Sequence, residues 1–195
     1  MKKIIVATIF LFSAIISAQS SLSKQAYRNS RNPWILSVGF NALGNLGTKN
    51  PLKRVDEFSF RQPFAVAIEH RWTEFLSIEQ DFSFNGYEAT EFIDNGIAAE
   101  DILYFSTNTS FKWYYSSYLF DADWVDLYSS AGLGIFTIDE FNTSANVSFG
   151  ALFWINPTRT IGVRIQGTGK FAFNADSKQF DNNHWQYFLQ AVFRL

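Results

Sequence analysis

The chain has 195 residues, a formal net charge of -2 and no cysteine, and its length fits a single domain. Aromatic residues make up 18% of it and charged residues only 17%, against about a quarter in typical soluble domains. This composition excludes disulfides and thiolate chemistry, and its acidic balance argues against a nucleic-acid-binding protein. Because no apolar run beyond the N-terminus approaches the roughly 20 residues of a spanning helix, the even apolar-polar mixing is typical of a transmembrane β-barrel.

The N-terminus reads as an export signal. Lys2 and Lys3 precede the apolar run Ile4 to Ile16, and the small residues Ser17 and Ala18 follow it. We therefore expect a signal peptide over residues 1–18 and a polar periplasmic arm over residues 19–33. A membrane anchor is the alternative for the first segment, but its apolar run is short for a span.

From residue 34 onward, apolar side chains recur at every second position in eight successive segments. This period of two is that of a β-strand with one apolar face, so residues 34–195 are predicted to form an all-β, eight-stranded antiparallel up-and-down transmembrane barrel. Phe105, Leu133 and Phe149 lie well inside their segments on the apolar parity, and we expect them to face lipid. The opposite parity carries small polar residues and all of the charges within the strands: Glu69, Arg71, Glu79, Asp81, Lys112, Asp126, Arg164, Lys170 and Arg194.

A water-soluble barrel or β-sandwich would show the same alternation, and two features favour a membrane barrel instead. Bulky aromatics collect at one end of the predicted strands, as an interfacial girdle would: Trp34, Trp72, Phe75, Trp113, Tyr115, Trp124 and Phe193. The predicted connections also alternate in length, with residues 73–74, 116–123 and 156–160 on the short side and 44–61, 88–101 and 174–183 on the long side. Residues 139–143 form a short connection on the long side.

Three stretches carry a resemblance to a known family. DLYSSAGLGIF (126–136), FGALFW (149–154) and the C-terminal alternation that ends in Phe193 and Leu195 resemble the small outer-membrane barrels of the OmpA and OmpX type. The resemblance implies residence in the bacterial outer membrane and insertion by the barrel-assembly machinery. Outer-membrane lipid and lipopolysaccharide would then surround the barrel. The chain stops at the last strand, so no peptidoglycan-binding domain is expected.

The inward charges predict a closed lumen. An eight-stranded barrel has an interior only just wide enough for side chains, so Glu69, Glu79, Asp81, Lys112, Asp126 and Arg164 are expected to form a charge cluster there. Within it, Glu79 and Asp81 are expected to pair with Lys112 and Arg164. Arg71, Arg194 and Lys170 are expected at the solvated mouths. Because a closed lumen does not conduct solutes, we expect this barrel to have a structural or interaction role.

Other functions remain open at this stage. A lipid A-modifying enzyme would need a group such as His184 with Ser177 and Asp181, but the sequence has no His-x-Ser pair, and we predict no enzymatic activity. With only His70 and His184 available as nitrogen ligands, no metal or cofactor is expected, and His70 beside Trp72 reads as an interfacial side chain. An accessory subunit of an outer-membrane secretion or assembly complex is the main alternative, and a small channel is a weaker one.

Overall fold

The structure is a computed structural model. It describes residues 32–46, 51–52, 55, 58–90, 92–93, 96–120, 122–138, 140–173 and 183–195. The expected signal peptide and residues 19–31 of the expected arm lie outside the described residues.

Eight strands close into one antiparallel barrel. The barrel strands are β1 (Trp34–Leu46), β2 (Phe64–Arg71), β3 (Leu76–Tyr87), β6 (Ile102–Tyr114), β7 (Val125–Ile138), β8 (Glu140–Trp154), β9 (Ile161–Ala172) and β10 (His184–Arg194). Neighbours along the sheet follow the order β1-β10-β9-β8-β7-β6-β3-β2, and β1 pairs with both β10 and β2. The predicted eight-stranded up-and-down barrel is confirmed.

Two smaller elements lie in the connections. A two-stranded hairpin, β4 (Phe92–Ile93) with β5 (Gly96–Ile97), lies between β3 and β6, and the four-residue helix α1 (Ser116–Leu119) lies between β6 and β7. Among the described residues, no helix is long and apolar enough to cross a membrane.

The alternation along each strand decides which side chains point inward. In β9, Ile161, Ile165 and Phe171 are exposed on the outer face, while Arg164 and Lys170 are buried in the lumen. A slip of one residue in register would turn every such charge outward. The register is therefore specified by the alternation itself.

The short connections are ordered by their own side chains. Thr73 Oγ1 accepts hydrogen bonds from the backbone N–H of Phe75 at 3.2 Å and of Leu76 at 2.9 Å. Asn156 Oδ1 accepts from the backbone N–H of Thr160 at 3.0 Å and of Ile161 at 3.1 Å. These local bonds replace the sheet ladder where the chain reverses.

The opposite end is built differently from the sequence expectation at one connection. β7 runs to Ile138 and β8 begins at Glu140, so most of the expected 139–143 connection is strand. Cross-strand pairing of Thr137 with Phe141 and of Ile135 with Thr143 extends this hairpin, because alternating residues continue the ladder without a break.

Candidate functional site in the barrel lumen

Four charged side chains meet inside the barrel. Lys112 Nζ lies 3.1 Å from Glu69 Oε2 and 2.5 Å from Glu79 Oε2, and Arg164 Nη1 donates to the same Glu79 oxygen. Each of these side chains is at most 3% exposed. They come from β2, β3, β6 and β9, so the contacts cross the lumen. We call Glu69, Glu79, Lys112 and Arg164 the central cluster.

A second charged layer lies towards the short connections. Arg71 Nε lies 3.2 Å from Glu69 Oε1 and its Nη2 lies 3.2 Å from Asp126 Oδ2. Asp126 also accepts hydrogen bonds from Trp154 Nε1 at 3.0 Å and from Arg159 Nη2. The guanidinium of Arg71 lies 3.8 Å from the ring centre of Tyr114. Asp126 therefore contacts Trp154 at the end of β8 and Arg159 in the connection after it. Through Arg71, it is also connected to Glu69 of the central cluster.

Arg71 differs from its expected position at a solvated mouth. It is only 6% exposed, because its long side chain folds back from the end of β2 to reach Glu69 and Asp126. The position of Arg71 at the end of β2 predicts that it lies near the short connections. It does not predict that the side chain turns into the lumen. Arg194, the other arginine expected there, remains partly exposed.

Asp81 makes a different contact from the expected pairing with Lys112 or Arg164. Its Oδ1 accepts from Asn108 Nδ2 at 2.6 Å, and no ion pair within 4.0 Å reaches it in the described part of the chain. The reason is position: Asp81 lies two residues further along β3 than Glu79, and Glu79 takes both cations of the central cluster.

Lys170 is likewise inside the barrel and not at a solvated mouth. It is 0% exposed and donates to Ser106 Oγ and, at 3.1 Å, to Asn108 Oδ1. Strand β9 continues two residues beyond Lys170, and Phe136 covers its ammonium with a ring centre at 6.0 Å. The lumen thus extends further towards the long loops than the sequence indicates.

A neutral hydrogen-bond network fills the next part of the lumen. Gln186 Nε2 donates to Asn41 Oδ1 at 3.0 Å and to Ser83 Oγ at 2.9 Å. Asn85 Nδ2 donates to the same Asn41 oxygen at 3.0 Å. All four residues are at most 2% exposed. Because their polar groups are satisfied by one another and by backbone carbonyls of the wall, this layer is a packed interior.

An apolar cluster lies at the loop end of the lumen. Its buried members are Leu43, Tyr87, Ala98, Tyr104, Phe136 and Ile138. Ala98 comes from the segment after β5, so the long connection between β3 and β6 contributes to the cluster. His184 is 0% exposed beside this cluster, where its Nε2 lies 2.8 Å from Tyr104 Oη. The expected enzymatic partners of His184, Ser177 and Asp181, lie outside the described residues.

One ion pair connects the long connections above the barrel. Arg61 Nη2 pairs with Asp101 Oδ2, and the backbone N–H of Ala89 donates to Asp101 Oδ1 at 2.9 Å. The Ala89 hydrogen bond, with Arg61 nearby, lowers the pKa of Asp101 below its usual value. Within the described ranges, no cluster of three or more histidine, aspartate or glutamate side chains is arranged to hold a metal ion.

The fold is similar to that of Neisserial surface protein A, with a TM-score of 0.54 and 11% identity over 83% of this chain and 96% of that one. It is also similar to the outer-membrane protein Ail of Yersinia pestis in a phospholipid bilayer nanodisc, with a TM-score of 0.50 and 14% identity over 85% of this chain and 100% of that one. The chain has the fold of the small outer-membrane β-barrels. No family model and no curated protein sequence matches it.

The outer wall of this small outer-membrane barrel fold is mainly apolar, although Gln80 and Thr109 are polar residues that also point outward. Leu133 is 63% exposed and Phe149 is 56% exposed. Phe105 also points outward but is partly covered by Phe84, with the ring centres 5.1 Å apart. His70 lies on the same wall, where its ring and the ring of Trp34 pack edge to face with their centres 4.5 Å apart.

Sequence reasoning missed several residues that complete the lumen network. Asn108 and Tyr114 lie on the inward parity, but as neutral residues they did not enter the predicted cluster. Arg159 lies in a connection, so strand periodicity carries no information about it. Trp154 lies at the end of β8 on the inward parity. That parity indicates a lumen position, although an aromatic residue at a strand end is more often expected to face lipid.

Proposed function

We propose that this protein is an integral β-barrel of the bacterial outer membrane with a closed, charge-paired lumen and a structural or surface-interaction role. We assign it no enzymatic activity and no cofactor. The observation that carries the proposal is the central cluster, since its contacts join opposite sides of the lumen inside an apolar outer wall.

Four consecutive layers support the closed lumen. The charged layers lie nearest the short connections, the neutral network of Asn41, Ser83, Asn85 and Gln186 follows, and the apolar cluster lies at the loop end. An eight-stranded barrel leaves room for side chains and little more. A continuous water path would require several of these contacts to break together.

Exposed tryptophans near the short connections support one orientation of the barrel in the membrane. Trp72, Trp113 and Trp124 are 51%, 43% and 60% exposed near the short connections, where an inner interfacial belt would lie. Short turns face the periplasm in bacterial barrels, so the long connections would face outward. Outer-membrane lipid, lipopolysaccharide and, during insertion, the barrel-assembly machinery are the partners that this placement implies.

Membrane fractionation and gel migration test the proposal. The protein is expected in the outer-membrane fraction, with faster migration before heating than after it, as folded barrels in detergent resist unfolding. Far-ultraviolet circular dichroism should show predominantly β structure. A mature protein that stays soluble without detergent would contradict the membrane assignment.

An accessory-subunit role is the second candidate. Apolar side chains protrude near the long connections, including Phe60 at 59%, Phe141 at 74% and Phe173 at 66% exposure, and such residues are suited to contact another protein. Affinity purification from detergent-solubilised membranes separates the two roles. A stoichiometric co-purifying partner that is lost in Phe141→Asp would favour the subunit role, whereas recovery of the barrel alone would favour the independent role.

A further inference from the structure

We propose that the mouth of the barrel at the short connections binds an anion of the phosphate type, held by Arg194 and Arg159 beside Trp154. We call Arg71, Asp126, Trp154, Arg159 and Arg194 the arginine mouth. The site itself is argued from side-chain contacts alone. The side of the membrane from which the ligand reaches it rests on the orientation in the proposed function.

The charges in this region do not balance. In the central cluster, two carboxylates face two cations. In the arginine mouth, Asp126 pairs with Arg71 and Arg159, and Arg71 also pairs with Glu69 of the central cluster. Glu74 and Asp123 lie in the adjoining connections, and among the described contacts neither forms an ion pair with these arginines. Counted together, the side chains of the central cluster and the arginine mouth comprise five cations and three carboxylates, which is an excess of two positive charges.

Donors in the mouth also lack acceptors. Arg194 Nε and Arg159 Nε are buried and have no hydrogen-bond partner in the described part of the chain. Ser77 Oγ is a third such group, on a residue that is 1% exposed and in register with Arg71. Buried donors without acceptors are unfavourable and uncommon, so an oxyanion at this position would satisfy groups that the protein leaves open.

The two outer arginines are held in place by an aromatic ring. The guanidinium carbon of Arg194 lies 4.9 Å from the ring centre of Trp154, and that of Arg159 lies 5.4 Å from it. Trp154 is itself fixed by its hydrogen bond to Asp126. Guanidinium groups held over an aromatic ring lose little additional freedom when they bind an anion, so the site is organised before the ligand arrives.

The chemistry of the site favours phosphate over a simple halide. Guanidinium groups present paired N–H donors that match the oxygens of a phosphate or carboxylate. An excess of two positive charges matches a phosphate monoester, which carries nearly two negative charges at neutral pH. Free phosphate and the phosphate headgroup of a membrane lipid both supply this chemistry, and the mouth lies at the height of the inner interface in the proposed orientation.

Calorimetric titration with inorganic phosphate tests the proposal. The folded full-length mature protein in alkyl maltoside micelles, which contain no phosphate, would be titrated at constant ionic strength with sodium chloride as the reference. We expect saturable binding of phosphate and a higher thermal midpoint than in chloride. Arg194→Gln should weaken binding about tenfold or more, as expected for the loss of a charge-assisted contact. Arg61→Gln, an arginine at the other end of the barrel, should leave binding unchanged.

Two outcomes would overturn the proposal. One is a response to phosphate no larger than that to chloride, and the other is equal binding by the wild type and Arg194→Gln. Heat-modifiable migration would first establish that each variant is folded, which tests the barrel separately from the site. If Arg194→Gln does not fold, Arg194→Lys replaces it, and wild-type affinity in that variant would contradict recognition by paired guanidinium donors.

A second titration, in the presence of a phospholipid, distinguishes the source of the phosphate. Phosphatidic acid, which carries a monoester headgroup, would be added to the micelles before the titration. A several-fold lower apparent affinity for inorganic phosphate supports a lipid headgroup as the occupant of the site. Unchanged affinity supports a soluble phosphate ligand.

Discussion

The carboxylate of Asp81 and the ammonium of Lys170 are connected through the amide of Asn108. Asn108 donates from Nδ2 to Asp81 Oδ1 at 2.6 Å and accepts at Oδ1 from Lys170 Nζ at 3.1 Å. The same oxygen accepts from Asn146 Nδ2 at 2.7 Å. One neutral side chain therefore satisfies two buried charges of opposite sign that do not form a direct ion pair.

Asn108→Leu should destabilise the barrel by about 3–5 kcal/mol, because it leaves Asp81 and Lys170 buried without this connection. Asn146→Leu is the matched control, since it removes a hydrogen bond to Asn108 but leaves both charged contacts in place, and it should cost about 1–3 kcal/mol. Urea unfolding in detergent, followed by tryptophan fluorescence, measures both. Equal costs for the two variants would contradict the connecting role of Asn108.

Glu79→Gln should also cost about 3–5 kcal/mol, because it removes the carboxylate shared by Lys112 and Arg164. The double variant Glu79→Gln with Lys112→Gln should cost less than the sum of the two single variants, since it removes one charge of each sign. A complete double-mutant cycle in the same unfolding assay gives the coupling free energy. Strictly additive costs would show that the pair is not coupled.

The outer wall offers a matched pair of leucines. Leu133 and Leu119 are both 63% exposed, but Leu133 lies within β7 and Leu119 lies in α1 at the short connections. Leu133→Arg should cost about 2–4 kcal/mol if it lies near the bilayer midplane, and Leu119→Arg about 0–1 kcal/mol near the interface. Unfolding in lipid vesicles measures the difference. Equal tolerance of both substitutions would contradict the assignment of Leu133 to lipid.

Two glycines on opposite faces of the sheet differ in how closely a neighbouring residue approaches them. A Cβ at Gly132 would lie 2.2 Å from the backbone oxygen of Thr109, whereas a Cβ at Gly167 would meet only the ring of Tyr187 at 3.5 Å. Gly132→Ala should therefore destabilise by about 1–3 kcal/mol or prevent folding, and Gly167→Ala should change stability by less than about 0.5 kcal/mol. Yields of heat-modifiable protein and unfolding midpoints measure both. The reverse order would contradict the close approach of the β6 backbone to Gly132.

The period-two alternation was sufficient to predict the barrel, because successive side chains of a strand must point to opposite faces. It also assigned the inward parity to Glu79, Lys112 and Arg164. It did not predict that Asp81 contacts Asn108, since the contacts across a lumen depend on strand stagger and on side-chain length. The buried position of Lys170 depends on how far the strands extend beyond it.

The connections were less predictable than the strands. Arg159 enters the charged layer from a turn and has a backbone φ of 54°, a conformation that favours glycine. Ala98 joins the apolar cluster from a long connection. Neither position follows a periodic pattern, so their contacts emerge only from the folded chain.

The most direct test of the closed, charge-paired lumen is the electrical conductance of the purified protein in a planar bilayer. The protein would first be shown to be folded by heat-modifiable migration, and insertion would be verified by protease protection in vesicles of the same lipid. We expect no steady, large, porin-like conductance from the wild type. Such a conductance from folded, inserted protein would show that the lumen is an open channel and would contradict the closed, charge-paired lumen.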